Sequence, residues 1–440
     1  MKYLFVFLFL FTTLPLIAQG LSAVEKTALD KLVMRDIPED SPGAAVGILR
    51  NGKVIYERYA GLADLDTERP ITANTRFNLA SNGKQFTALC VARLIEAGKL
   101  ALTDDVRKYL PELYPDLESP LTVQHLITHT SGVRDMNSLW GLQGKTWWKN
   151  SFTNDDALAL LSNQTDLNFP SGTAYSYSNS NYILLAILVE RVSGQSFRAY
   201  SDQLFTDLGM TSTYYCDDHT VPVPDLARPY FNFDTWKTYE WLSDLHGDGA
   251  LFSTLPDQLR WEKMIQTGKS KALSAEFLAA SQERIDPKFG YGYGLEIDTY
   301  RGLPVRTHDG STGAWKATTL RFPTENVTIV VMNNTGKFFP WNLARELAYV
   351  VLEGKLEETK IVLRPEEVGP EVATEELLGT YHSGGFYFRF VERADGLYLE
   401  REGRSDVKLE RETANMLHEV TDPTFRQAFT RDSTGALRMT

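Results

Sequence analysis

The chain of 440 residues carries 45 Lys and Arg against 57 Asp and Glu, a formal charge of −12. No basic patch balances that excess, so nucleic acid is excluded as a partner. Two cysteines make no disulfide framework, and the length allows two or three domains with ample core.

Lys2 is followed by the apolar runs 4–10 and 14–18, and Ala18 and Gly20 offer small residues for cleavage. Residues 1–20 therefore read as a secretory signal peptide, because Thr12, Thr13 and Pro15 interrupt a run already too short to span a bilayer. No later stretch is apolar enough to cross a membrane. The mature chain is expected to be soluble, and periplasmic or secreted.

Beyond the leader, a short helix is predicted over 24–34. Strands at 44–49 and 53–59 follow, joined by Asn51-Gly52, a strong hairpin signal. A polar loop over 63–75 leads into Phe77-Asn78-Leu79-Ala80-Ser81-Asn82-Gly83-Lys84. Ser81 stands at the N-cap or first turn of a helix with the apolar face Phe86, Leu89, Cys90, Leu94 and Ile95, closed by Gly98. Cys90 on that face reads as core packing, with a Cys90–Cys216 disulfide left open as the alternative after export.

From 100 to 299 helices with long loops take over, at 121–130, 155–162, 182–192, 255–267 and 272–282. Tyr291-Gly292-Tyr293-Gly294 returns the chain to extended structure. Strands at 303–308, 315–322 and 326–332 form a meander with turns at 310–313 and 323–325, and a helix over 341–353 closes the unit. The Glu- and Pro-rich stretch 356–376 reads as a linker. Short alternating runs over 377–440 then make a small all-β domain. The order predicts an α+β fold over 21–355: an antiparallel sheet from both ends of that unit, flanked by helices, with a helical insertion at about 100–299.

Residues three apart share a helix face, so the Ser81 hydroxyl and the Lys84 amine can meet. A serine needs a base to take its proton, and a desolvated lysine can be that base. The spacing alone decides little, because a Ser-x-x-Lys tetrad arises by chance roughly once in such a chain. A second copy, Ser405-Asp406-Val407-Lys408, lies in a strand-like run where residues three apart point to opposite faces. Company must decide. Tyr177-Ser178-Asn179 precedes the 182–192 helix; a tyrosine between cations can be partly phenolate, and Asn179 can both donate and accept. The plainer reading of that loop is helix capping. His308-Asp309-Gly310-Ser311 ends a strand, where glycine allows close approach and the Ser311 N–H can pair with that of Ser81 around an oxyanion. A strand-end histidine is otherwise structural.

Rivals are weaker. Tyr230-Phe231-Asn232 lies in a Pro- and aromatic-rich loop, and His382-Ser383-Gly384 lies in the terminal β-domain. His125 and His129 are four apart on a predicted helix but have no evident third ligand, so no metal is assigned. No Gly-x-Ser-x-Gly elbow and no phosphate-binding glycine loop occurs, and no cofactor is implied.

Ser-x-x-Lys, Tyr-x-Asn and His-x-Gly in this order resemble the serine β-lactamase-related family of class C β-lactamases, low-molecular-weight penicillin-binding proteins, D-aminopeptidases and related esterases. The resemblance covers about residues 25–355, with support from 125–132, 248–254 and 291–294. It implies a β-lactamase/transpeptidase-like fold and an exported serine hydrolase that acylates Ser81 with a D-peptide, ester or β-lactam substrate. It makes Lys84 the proton-transfer partner, Tyr177 the general base and then acid, and Asn179 an orienting group. The N–H groups of Ser81 and Ser311, beside Gly310, become the oxyanion hole. His308 replaces a lysine found in true class C enzymes, so a group titrating near neutrality stands in for a fixed cation. An acyltransferase and a non-catalytic penicillin-binding-like sensor are the alternatives. Gly83 is expected to loosen the helix start by roughly 1 kcal/mol and with it Lys84. The loops 136–152 and 214–249, rich in Trp and Tyr, are expected to set specificity.

Overall fold

The computed structural model describes residues 20–146, 148–233, 235–357, 370–383, 386–401, 404–420 and 425–439. The leader through residue 19 and most of the 356–376 stretch lie outside them. Six antiparallel strands form the main sheet, in the order Glu296–Tyr300, Leu303–Thr312, Trp315–Phe322, Val327–Asn333, Ala44–Arg50 and Lys53–Ala60. Ala44 lies opposite Asn333, so residues almost 300 apart in sequence close the sheet.

Both faces are covered, which is why Trp315–Phe322 and Val327–Asn333 are buried at every position. Val46, Ile48, Phe322, Ile329 and Val331 pack toward the helices Ala23–Met34 and Pro340–Val351. The alternate residues Ala45, Leu49, Ala317, Val330 and Met332 join the larger core around the helices Lys84–Glu96 and Asn179–Ser193. Period-2 alternation thus splits one sheet between two cores.

Several elements differ from expectation for local reasons. The predicted 121–130 helix is only Val123–Ile127, boxed in by Thr122 and His125, and His129 lies beyond it with φ +56°. The 272–282 helix contracts to Ala275–Ala280, started by Ser274. A fourth meander strand, Glu296–Tyr300, had no clear signal in its mixed polar residues. Gly310 and Ser311 belong to a strand running on to Thr312, and the turn comes at Gly313. The aromatic run near Tyr230 forms the hairpin Tyr230–Phe233 and Thr235–Thr238. Cys90 and Cys216 are both free and buried.

Candidate active site

A small sheet places the serine. Phe77–Asn78 pairs with Leu251–Ser253, which also pairs with Tyr214–Tyr215, and the Leu79 N–H donates to the Leu251 carbonyl at 2.8 Å. The chain then turns sharply: Ala80 has φ +47°, and its N–H is held by Asn78 Oδ1 at 2.9 Å. Such a conformation is uncommon for a residue with a Cβ, and surrounding contacts must impose it. Ser81 sits in the 3-10 turn Ala80–Gly83, one turn ahead of the α-helix that begins at Lys84. It is not a side-chain cap. Its N–H lies in the first turn, where no intrahelical carbonyl reaches it.

Lys84 is fully buried. Its Nζ donates to Ser81 Oγ at 3.0 Å, to Asn179 Oδ1 at 2.8 Å and to the Asp248 carbonyl at 2.6 Å. Burial lowers its pKa to about 8, with the nearby Asp248 and Asp135 carboxylates opposing the fall. The Tyr177 ring lies 5.0 Å from Nζ.

Gly83 does not loosen this turn. A Cβ there would stand 2.9 Å from the Leu251 side chain, so glycine lets the turn pack against the small sheet. Asn82, its neighbour in the tetrad, donates to the His308 carbonyl at 2.7 Å and ties the serine turn to the strand. That strand comes very close, since a Cβ on Gly310 would lie 2.0 Å from the Leu79 carbonyl oxygen.

Asn179 is the first residue of its helix, and its N–H donates to Asp135 Oδ2 at 2.7 Å. Asp135 also caps the helix Met136–Leu142, so one carboxylate orders two elements. His129 supports the loop from behind. Its Nδ1 meets the Ser178 N–H at 3.2 Å and Asn181 Nδ2 at 3.0 Å, and its ring lies 4.3 Å from that of Tyr177. His125 and His129 thus serve a cap and a loop, as packing chemistry suggests.

Two electrostatic expectations are overturned. Tyr177 is held as a neutral phenol: desolvation of its hydroxyl raises its pKa, and the hydrogen bond with Ser81 offsets only part. His308 does not titrate near neutrality. Burial, then the charge of Lys84, drive it down to about 3, and the Asp309 carbonyl opposes weakly. The hydrogen bonds fix its form. A carbonyl only accepts, so Nδ1 donates to Asp309 O at 2.7 Å, which leaves Nε2 to accept from the Tyr291 hydroxyl at 2.9 Å.

Ser81, Asn179 and Ser311 line one cavity of about 200 Å³, with Asn137 from the 136–152 loop and Trp241 and Asp248 from the 214–249 loop. Trp140 stacks on Phe152 in the core at 3.8 Å instead of facing the cleft. Sequence reasoning named Ser81, Lys84, Tyr177, Asn179 and His308 but missed Asp135, Tyr291 and the carboxylate of Asp248. The Tyr-Gly-Tyr-Gly run and Asp248-Gly249 were the available signals. Neither rival belongs here: Tyr230 bonds the Leu65 N–H at 2.9 Å, and His382 packs on Tyr387 in the C-terminal sheet.

The Beta-lactamase family matches residues 31–352. A D-aminopeptidase of Cereibacter sphaeroides is 30% identical over 308 residues, which is 67% of this chain but 57% of that protein. The chain thus spans little more than half the length of that relative. The octameric penicillin-binding protein homologue from Pyrococcus abyssi superposes with a TM-score of 0.70 at 24% identity, over 94% of both chains. The penicillin binding protein from Bacillus halodurans gives 0.61 at 26% identity, over 73% of this chain and 98% of that one. That family match spans well over half of the sequence, and the chain belongs to the Beta-lactamase family.

Proposed function

We propose that this protein is an exported serine hydrolase that forms an acyl-enzyme on Ser81 and cleaves an amide or ester. The contact that carries this reading is Lys84 Nζ at 3.0 Å from Ser81 Oγ, with the amine otherwise held by Asn179 and the Asp248 carbonyl. At a pKa of about 8, roughly a tenth of the lysine is unprotonated at pH 7 and able to take a proton. Ser81 Oγ attacks the carbonyl carbon as its proton passes to Nζ, and the N–H groups of Ser81 and Ser311 receive the oxyanion. Tyr177, a neutral phenol beside Ser81, is suited to hand a proton to the departing amine or alkoxide and to take back the one held on Lys84 Nζ, which restores both groups. A water then repeats the sequence on the ester and frees the acid.

The kinship with a D-aminopeptidase supports D-peptide-type amides among the substrates. A fluorophosphonate should label the wild-type protein, Ser81→Ala should abolish labelling, and Lys84→Ala should slow it at least a hundredfold. Equal labelling of all three would refute the assignment. The leader-like residues 1–20 support a periplasmic or secreted location. Intact mass of the chain from a secreting bacterial host should show the leader removed; a full-length cytoplasmic product would count against export.

A further inference from the structure

The charge inside the cavity points to a substrate class. Among the described residues that line it, Asp248 alone carries an acidic or basic side chain, and the rest are apolar, hydroxyl, amide or glycine. Burial raises the pKa of this carboxyl, and the charge of Lys84 opposes the rise. Its position is built in. Leu251–Ser253 is hydrogen-bonded beside Phe77–Asn78, and a Cβ on Gly249 would lie 3.5 Å from the Ala80 backbone, so the carboxylate is held along the serine turn. The carbonyl of the same residue accepts from Lys84 at 2.6 Å. Among the described residues, no other side chain or N–H donates a hydrogen bond to the Asp248 carboxylate, and Lys84 Nζ is spent on three other acceptors. The acid therefore faces the cleft without a counter-ion in contact.

A positive group that could bind a substrate carboxylate is missing from the same lining. His308 is neutral, with both ring nitrogens engaged by Asp309 and Tyr291. Lys316, opposite Ser311 on the next strand, binds the Gly313 carbonyl at 3.2 Å, with its Nζ 5.7 Å from the Phe339 ring. A carboxylate brought into this cleft would meet Asp248 with no cation in the lining to bind it, whereas an ammonium would give the acid a partner in contact. Trp241 stands in the same lining, an aromatic side chain of the kind that favours a cation.

Resting on the acyl-enzyme reading above, we propose that Asp248 is a specificity residue that selects acyl groups bearing a free primary ammonium. The preferred donors are aminoacyl amides or esters. N-blocked donors and donors with a carboxylate on the acyl group are disfavoured.

The test uses full-length protein and a matched set of p-nitroanilides: D-alanyl and L-alanyl (ammonium), propionyl (neutral) and succinyl (carboxylate). The expected result is a kcat/KM at least tenfold higher for the better alanyl isomer than for propionyl, with succinyl slowest. In Asp248→Asn and Asp248→Ser, the alanyl-to-propionyl ratio should fall toward one; a ratio within each variant cancels general damage to the site. A ratio near one in the wild type, an unchanged ratio in either folded variant, or turnover of none of the anilides by a protein that still labels at Ser81 would overturn the proposal. Failure of the wild type to label at Ser81 would instead overturn the acyl-enzyme reading, so the two failures are distinguishable.

Discussion

Lys84 shows how far one residue's chemistry depends on where it is buried. Its pKa is lowered because desolvation disfavours the ammonium more than the nearby carboxylates favour it. In the proposed mechanism the neutral amine is the base, so kcat/KM for an uncharged ester should rise with pH through about 8 and level off above it. Measuring that limb in wild type checks the assignment; a rate already flat between pH 6 and 9 would place the base elsewhere. Tyr177 and His308 cannot supply such a limb. The phenol is shifted upward, and the imidazole ionises only near pH 3. Sequence identified all three residues but misjudged two of their charge states, because protonation depends on burial and on neighbouring charges, neither of which spacing reveals.

At the scale of elements, the site is a meeting of backbones. The serine turn touches the strand Leu303–Thr312 through Gly310, where the Leu79 carbonyl occupies the space of a side chain, and through Asn82, which bonds the His308 carbonyl. Gly310→Ala should therefore separate turn from strand at a cost of about 1–3 kcal/mol, seen as a lower melting temperature together with slower Ser81 labelling. An alanine variant that melts and labels like wild type would show that this approach is not needed. The hairpin, the meander and the strongly amphipathic helix Pro340–Val351 were legible because their periodicity or turn residues are local. The contraction of the helix before His129 and the strand that runs through Ser311 were not. Each is decided by partners distant in sequence: the Ser176 and Ser178 N–H groups bonding His129, and Lys316 pairing with Ser311.

Across the whole molecule, the C-terminal residues form a seven-stranded meander from Gly379–Ser383 to Leu437–Met439, each strand beside its sequence neighbour. Val372, Leu377, Phe390, Leu399, Leu417 and Phe429 give it a core separate from those of the main unit. It meets that unit at a cleft of about 230 Å³ lined by Arg35, Phe339, Glu346, Tyr398, Arg401 and Asp406, with the Arg401 guanidinium 5.9 Å from the Phe339 ring. The contact lies on the helix Pro340–Val351, across the sheet from Ser81. A chain cut after residue 357 should therefore keep fluorophosphonate labelling, and the intact protein should melt in two calorimetric transitions. Loss of labelling on truncation would make the C-terminal sheet part of the working site.

The sequence by itself singled out Ser81, Lys84, the Tyr-x-Asn and His-x-Gly stretches and the order of sheet and helices, because each is written in spacing or periodicity over a few residues. Only the tertiary structure decided what Gly83 and Asn82 are for, that His308 is neutral, and that Asp248 is the acid lining the cleft. Those outcomes depend on close backbone approach and on desolvation. Both arise only when segments far apart in the chain are packed together.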